Sequence, residues 1–242
     1  MKSKFLLLLI VLTIKSFCQD SLRVEISHTQ IFSLAPISKR VRKVNGLVFG
    51  VGHIENKNIK NQTINGLNAE LNPAPIAATF MAFLSVVYLP EIIKNNAKCK
   101  DSLKQHDFKI KNWQVTPNLM LNGINLSTGC FFTTTSMNGL NVSLGNKFQN
   151  FNGISIAPLG TISDHFNGLS IGMANANNNL NGLGIGFYNQ SYQLKGLQFG
   201  IFNQTENNLG IQIGIYNRSY TRGLQLGFWN KNKKCALPFL NW

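Results

Sequence analysis

Ser163, Asp164 and His165 are the residue types of a hydrolytic triad, in which a carboxylate orients a histidine that activates a serine nucleophile. The three are direct neighbours in the chain, whereas the members of a working triad converge from different segments of a fold. We therefore predict that they lie in a turn between strands and have no catalytic role.

Metal ligands and cofactor motifs are the next candidates for chemistry. The four histidines share no metal-binding spacing, and neither an H-E-x-x-H motif nor a phosphate-binding loop is present. The pair Gly184 and Gly186 gives a G-x-G, but no helical pattern follows it and the same spacing recurs along the chain. We predict no catalytic, cofactor-binding or metal-binding residues, no cofactor, and a protein that is not an enzyme. The histidines are His28, His53, His106 and His165.

The N-terminus has the layout of an export signal. Two lysines precede an apolar run from Phe5 to Ile14, and the small residues Ser16 and Cys18 fit a cut before Gln19. The run is too short to span a bilayer as a helix. We predict a signal peptide over residues 1–18, with a lipoprotein acylated on Cys18 as a weaker alternative.

Cysteine usage after this signal is sparse. Cys99, Cys130 and Cys235 are odd in number and widely spaced, so they form neither a disulfide framework nor a paired zinc motif. At most one disulfide could form, and three unpaired thiols are the simpler expectation.

The chain is strongly basic, with 23 Lys and Arg against 9 Asp and Glu and a formal net charge of +14. Such a charge favours polyanionic partners. Export makes nucleic acid unsuitable, so membrane lipid or an anionic cell-surface polysaccharide is the expected partner. The alternative is that the lysines only solubilise turns and linkers. No feature of the sequence specifies a protein partner.

An internal repeat dominates the sequence. Gly followed by Leu or Ile recurs from residue 123 at intervals of 16, 14, 15, 14, 14, 14 and 13 residues, with two earlier copies at Gly46 and Gly66. A fixed period of this kind indicates a repeat architecture. The later glycines are Gly123, Gly139, Gly153, Gly168, Gly182, Gly196, Gly210 and Gly223.

Within a copy, apolar side chains alternate with small or amide-bearing ones. Ile211, Ile213 and Ile215 are predicted to share one face of a strand, with Gln212 on the other. The copies close on asparagines, which suit turns because they tolerate left-handed backbone and bond to local peptide groups. The asparagines are Asn175, Asn189, Asn203, Asn217 and Asn230.

Two all-β architectures fit a unit of about fourteen residues. The segments between strands are polar and hold one apolar residue before each glycine, which favours an antiparallel meander or β-barrel-like sheet of roughly twelve strands. Ten-residue strands also suit a membrane barrel with a compact lumen face and a greasy outer face. The alternative is a narrow β-solenoid in which asparagines stack and the apolar face fills the interior.

An insertion at residues 73–112 interrupts what is otherwise a single β-repeat domain over residues 19–242. Its first part, Ile76 to Leu89, is apolar almost throughout and ends at Pro90. Fourteen residues are too few to span a bilayer comfortably, so we predict one short apolar helix that is buried or interfacial. A lysine-rich linker follows.

The copies GLQFGIFN, GIQIGIYN and GLQLGFWN, with the closing ALPFLNW, resemble a family of bacterial surface repeat-containing proteins. The resemblance covers residues 44–242. It implies a location at the surface of a bacterium and supplies no catalytic residues or established activity. Together these features favour a non-enzymatic exported surface or outer-membrane protein with a structural or pore-like role. The alternative is a surface adhesin or ligand-binding scaffold on a β-solenoid.

Overall fold

The structure, a computed structural model, describes residues 27–54, 59, 61–73, 75–77, 117–129 and 133–242. The predicted signal peptide lies outside these residues, as does most of the insertion at 73–112. No helix in the described ranges is long and apolar enough to cross a membrane.

The described chain is all-β, as predicted, and its twelve strands follow one another in a single sheet in chain order. The strands are β1 (Ser27–Ala35), β2 (Val41–Gly50), β3 (Gln62–Glu70), β4 (Leu119–Ser127), β5 (Thr135–Ser143), β6 (Gly145–Ile156), β7 (Gly160–Ile171), β8 (Ala174–Leu194), β9 (Leu197–Asn208), β10 (Ile211–Ser219), β11 (Leu224–Lys231) and β12 (Ala236–Asn241).

Strand pairing identifies the architecture as a β-solenoid. Every pair from β1 to β11 is parallel, and each repeat glycine lies beside its counterpart, as Gly139 does beside Gly123 and Gly153. Each repeat is thus one coil of a helical ribbon. The antiparallel meander or barrel-like sheet is wrong, and the solenoid alternative is confirmed.

The short polar segments misled the sequence prediction. Ser163, Asp164 and Glu206 lie within β7 and β9 and not between strands, and β8 runs without interruption past Asn175 and Asn189. The chain changes direction within continuous strand, because the inward side chains there are small enough for two legs of the coil to lie close together.

In the first eight copies, the apolar residue two positions before the repeat glycine forms the main column of the hydrophobic core. These residues stack from coil to coil in the interior, and each is at most 2% exposed. Phe151 and Phe166 stack with ring centroids 4.7 Å apart. The side chains of this column extend into the coil and fill its narrow interior. The column consists of Val44, Ile64, Leu121, Met137, Phe151, Phe166, Leu180 and Leu194.

Most of the remaining interior is polar and is held by side-chain ladders, and it also contains buried apolar residues such as Val48, Leu119 and Phe148. Asn189 donates to Asn203 over 2.9 Å and Asn203 to Asn217 over 2.8 Å, and all three are at most 1% exposed. A second ladder joins Gln198, Gln212 and Gln225 over 2.9 and 2.8 Å. The asparagines do stack, as a solenoid requires, but they are interior residues and do not form turns.

The 73–112 insertion leaves the solenoid without disturbing its register. β3 pairs directly with β4, and Gly66 lies beside Gly123. The residues after Leu71 enter a helix at Pro73, and helical residues continue to 77 before the described range ends. The predicted apolar helix over residues 76–89 therefore lies largely outside the described residues.

Candidate functional site

The outside of the solenoid presents a broad apolar face. Alternation places residues one, three and five positions after each repeat glycine outward, while those two positions after it point inward. In β10, Ile211 and Ile215 are exposed, whereas Gln212 is completely buried. The shared orientation of the isoleucines is confirmed, but the expectation that a solenoid would bury its apolar face is wrong.

We define the apolar face as these three outward rows across the ten coils from β2 to β11. The first row holds only Leu and Ile, the second only Ala, Val, Leu, Ile and Phe, and the third is apolar except for Thr128. No charged side chain occurs in the three rows. Several members are more than half exposed, including Phe49, Phe187, Phe199 and Phe228. Such an extent of contiguous apolar surface is unusual for a monomer and marks an interaction site.

A trough runs along this face parallel to the solenoid axis and encloses about 890 Å³. One ridge is built by the second row, with Ile185, Phe199 and Ile213 at its centre. The third row, with Phe187 and Ile215, builds the opposite ridge. A volume of this size is typical of binding clefts for small apolar molecules or protruding side chains.

Glycines form the floor of the trough because a backbone carbonyl oxygen, and in four of the five cases also an asparagine, lies directly beneath them. A Cβ on Gly214 would overlap the carbonyl oxygen of Gly200 and crowd Nδ2 of Asn203. Nδ2 of Asn203 also donates to the carbonyl oxygen of Ile213 over 2.9 Å. The interior ladder and the exterior trough are therefore two sides of one arrangement. The floor consists of Gly172, Gly186, Gly200, Gly214 and Gly227.

Polar residues border the apolar face on both sides. The position before each of the first seven repeat glycines carries an external asparagine ladder, in which Asn138 donates to Asn122 over 2.8 Å and Asn152 to Asn138 over 2.6 Å. All seven asparagines lie within strands, and Lys195, Leu209 and Arg222 hold this position in the last three copies. The opposite border holds amides in β8 and β9 and cations in β10 and β11. These residues are Gln190, Gln204, Arg218 and Lys231.

Tyr188 stands where the face meets this second border. Its hydroxyl group lies 3.2 Å from Oε1 of Gln190 and 3.3 Å from Oε1 of Gln204. Burial raises the pKa of Tyr188 above its usual value, and the nearby positive charge of Arg218 lowers it to a smaller extent. The phenol therefore remains a neutral donor at physiological pH.

A buried polar cluster lies near the N-terminal end of the solenoid. Nε2 of His53 lies 2.7 Å from Oε1 of Glu70, and the same carboxylate oxygen accepts a hydrogen bond from Asn68 over 2.6 Å. Asn68 continues the interior network by donating to Asn125 over 2.8 Å. Because His53 and Glu70 are both nearly inaccessible to solvent, the cluster joins coils and does not form an open reaction centre.

Ser163, Asp164 and His165 do not assemble a triad. Ser163 is completely buried, and its hydroxyl donates to Oδ1 of Asn177 over 2.6 Å. Nε2 of His165 lies 3.7 Å from the carboxylate of Asp164. Ser163 lies in the interior of the coil whereas the side chain of His165 is 54% exposed, so the imidazole cannot activate the hydroxyl.

The remaining sequence candidates are structural or isolated. Gly184 and Gly186 lie within β8, with Gly186 in the trough floor. Cys235 is unbridged, and its thiol contacts Oδ1 of Asn241 at 3.3 Å, whereas Cys99 and Cys130 lie outside the described residues. Within those residues no three His, Cys, Asp or Glu side chains are grouped as metal ligands. Comparison of the chain with protein-family models, curated proteins and solved structures finds no match.

Proposed function

We propose that this protein is a non-enzymatic, exported surface protein whose β-solenoid acts as a binding scaffold. The single observation that carries the proposal is the apolar face, an exposed, regular and uncharged array ten coils long. A chain that maintains such a face against the tendency of apolar surface to be buried uses it for contact with a partner. The proposed location rests on the predicted signal peptide and the resemblance to surface repeat proteins.

A pore-like role receives no support from this arrangement. The compact side chains that were expected to line a lumen are packed against one another, since Gln198, Gln212 and Gln225 are completely buried. A scaffold role requires only the outside of the solenoid, which matches the distribution of exposed apolar residues.

Cations at the ends of the solenoid supply a second kind of contact in this proposal. Lys39 and Arg40 are exposed at the connection between β1 and β2, and Arg42 is exposed at the start of β2. Lys233 and Lys234 are exposed between β11 and β12. Clusters of this kind attract anionic lipid head groups or anionic polysaccharide, which are the partners expected from the net charge.

Location is tested by fractionating the cells that produce the protein and treating intact cells with protease. We expect the protein in the envelope fraction, a new N-terminus at Gln19 by mass spectrometry, and removal by protease without cell lysis. A protease-protected cytoplasmic pool that retains residues 1–18 would refute export.

Attachment is tested by sedimentation with anionic vesicles, neutral vesicles and an anionic polysaccharide. We expect binding to the anionic surfaces that weakens as salt is raised, because exposed cations are screened. Replacing Lys39, Arg40 and Arg42 by Gln is expected to weaken it. Equal binding to neutral vesicles, or no change in the triple variant, would argue against the basic clusters as the attachment site.

A further inference from the structure

We propose that the apolar face is a self-association surface, on which a second copy of this chain packs face to face. The inference concerns the partner of the face and does not depend on where the protein is located. It rests on the area of the face, its composition, the shape of its ridges and trough, and the features that prevent pairing at the C-terminal end of the solenoid.

The face is large enough for a stable dimer. Ten strands spaced about 4.8 Å apart and five residues rising about 3.3 Å each give roughly 800 Å² for one copy. Two apposed copies would bury about 1,600 Å², which is the standard size of a specific protein–protein interface. The regular repeat continues each row from coil to coil, so the area forms one contiguous surface.

The composition of the face and its borders has the layout of a protein–protein interface. Interface cores are depleted of charge and enriched in aromatic residues and Met, and the rim is polar. Phe187, Phe199 and Met173 are each more than half exposed within an uncharged area. The external asparagine ladder forms one rim, and Gln204 and Arg218 belong to the other.

The ridges and trough of the face on one copy are complementary in shape to those on a second copy. Its rows run parallel to the solenoid axis, and the trough between the second and third rows is floored by glycine. A row of Ile and Phe side chains from one copy fits between the two ridges of the other, as the inner faces of stacked sheets interdigitate about 10 Å apart. A two-fold axis within the interface gives both copies the same contacts, which closes the assembly at two.

The C-terminal end of the solenoid, by contrast, is unsuited to pairing. β12 reverses the direction of the sheet, and Pro238 within it has no backbone N–H to donate. Exposed Lys233 and Lys234 lie beside this end. Edge pairing at the C-terminus is therefore blocked by proline, charge and strand reversal, while the apolar face carries no charged side chain.

The test is the molar mass of the protein, purified as the producing cells process it, by sedimentation velocity and light scattering. We expect a dimer at micromolar concentrations. Phe199→Lys and Ile213→Lys each place a cation in the middle row of the face, in its eighth and ninth coils. Because each substitution occurs twice in a symmetric dimer, we expect the dissociation constant to rise at least about a hundredfold.

Ile162→Lys is the matched control. Ile162 is also an exposed apolar residue of a parallel strand, but it lies outside the three rows of the face, and its neighbour in register is Lys147. This variant should dimerise like the wild type. Far-UV circular dichroism establishes that each variant is folded, and Phe199→Gln replaces any lysine variant that is not.

Three results would overturn the proposal. A wild-type protein that is monomeric at these concentrations has no partner copy. Dimers that persist in the folded Phe199 and Ile213 variants, or that Ile162→Lys disrupts equally, use another surface. A wild-type monomer that binds neutral lipid vesicles through Phe199 would show that the face contacts a membrane.

Discussion

Asn203 and Asn217 occupy the same position in successive coils, and Nδ2 of Asn203 donates to Oδ1 of Asn217 over 2.8 Å. The same nitrogen donates to the carbonyl oxygen of Ile213 over 2.9 Å, so both amide hydrogens of Asn203 are used within the interior. Each asparagine of this ladder thus links one coil to the next through side chain and backbone together.

Replacing Asn217 by Ala should therefore be costly. Asn203 would lose its side-chain acceptor, and Oδ1 of Asn230 would lose the donor that now lies 2.7 Å away. We expect the free energy of unfolding to fall by about 3 kcal/mol in urea denaturation, because buried polar groups would be left without partners. Asn152→Ala, in the exposed ladder, is the control and should cost less than about 1 kcal/mol. Equal losses would contradict the distinction between the ladders.

The trough floor predicts a sharp contrast between two glycines. Gly214→Ala places a methyl group against the carbonyl oxygen of Gly200, and we expect a loss of about 3 kcal/mol or more in thermal unfolding. Gly184 faces the flexible side chains of Leu180 and Asn189 at 3.3 and 3.4 Å, and its neighbours in register include Ser170. Gly184→Ser should stay within about 1 kcal/mol of the wild type. Comparable instability in both variants would refute this reading of the floor.

The apolar column should be the most sensitive part of the interior to truncation. Phe166 is completely buried and stacks on Phe151, so Phe166→Ala is expected to cost about 3–5 kcal/mol in chemical denaturation. Phe239→Ala provides the comparison, since Phe239 is 72% exposed, and its effect should stay below about 1 kcal/mol. A small effect at Phe166 would mean that the polar ladders alone hold the coils together.

Glu70 provides a test of the buried polar cluster. Glu70→Leu removes an oxygen shared by His53 and Asn68, and we expect about 3 kcal/mol of destabilisation or more. Glu70→Gln keeps one side-chain oxygen as an acceptor and should lose clearly less. The measurement is thermal unfolding at neutral pH. A leucine variant as stable as the glutamine variant would show that the shared acceptor is dispensable.

The sequence was sufficient to predict the repeat, the strands and the common orientation of their apolar residues. Intervals near fourteen residues specify one unit, and strict alternation around Gln212 specifies two faces. The prediction of about twelve strands is confirmed, and the two early copies at Gly46 and Gly66 take their places in register with the later ones.

The parallel direction of the strands could not be predicted because each return leg contains only one apolar residue that indicates a core. A coil this narrow needs only one large interior residue, such as Leu194, so its return leg looks like a polar turn in the sequence. The signal that could have found it was the repetition of that residue: an apolar side chain two positions before the glycine recurs in the copies from Val44 to Leu194. A turn does not require such a residue, whereas a stacked core does.

The orientation of the apolar face was also misassigned for a solenoid, because burial was assumed to follow hydrophobicity. Asn203 bonds to Asn217 and Gln212 to Gln198 in neighbouring coils, so stacking at the strand spacing lets hydrogen-bonded amides fill the coil interior. A single coil in isolation has no such partners. The suitability of amides for the interior therefore becomes apparent only when neighbouring copies are considered together.

The reversal of the sheet at β12 has a consequence for how such a chain can evolve. Parallel coils in common register tolerate tandem duplication, because a new copy finds the same neighbours above and below it. The antiparallel last strand offers no such neighbour, so additional copies are accommodated upstream of it. Chains built from different numbers of this repeat should therefore differ in their internal copies while keeping the same antiparallel pair of strands.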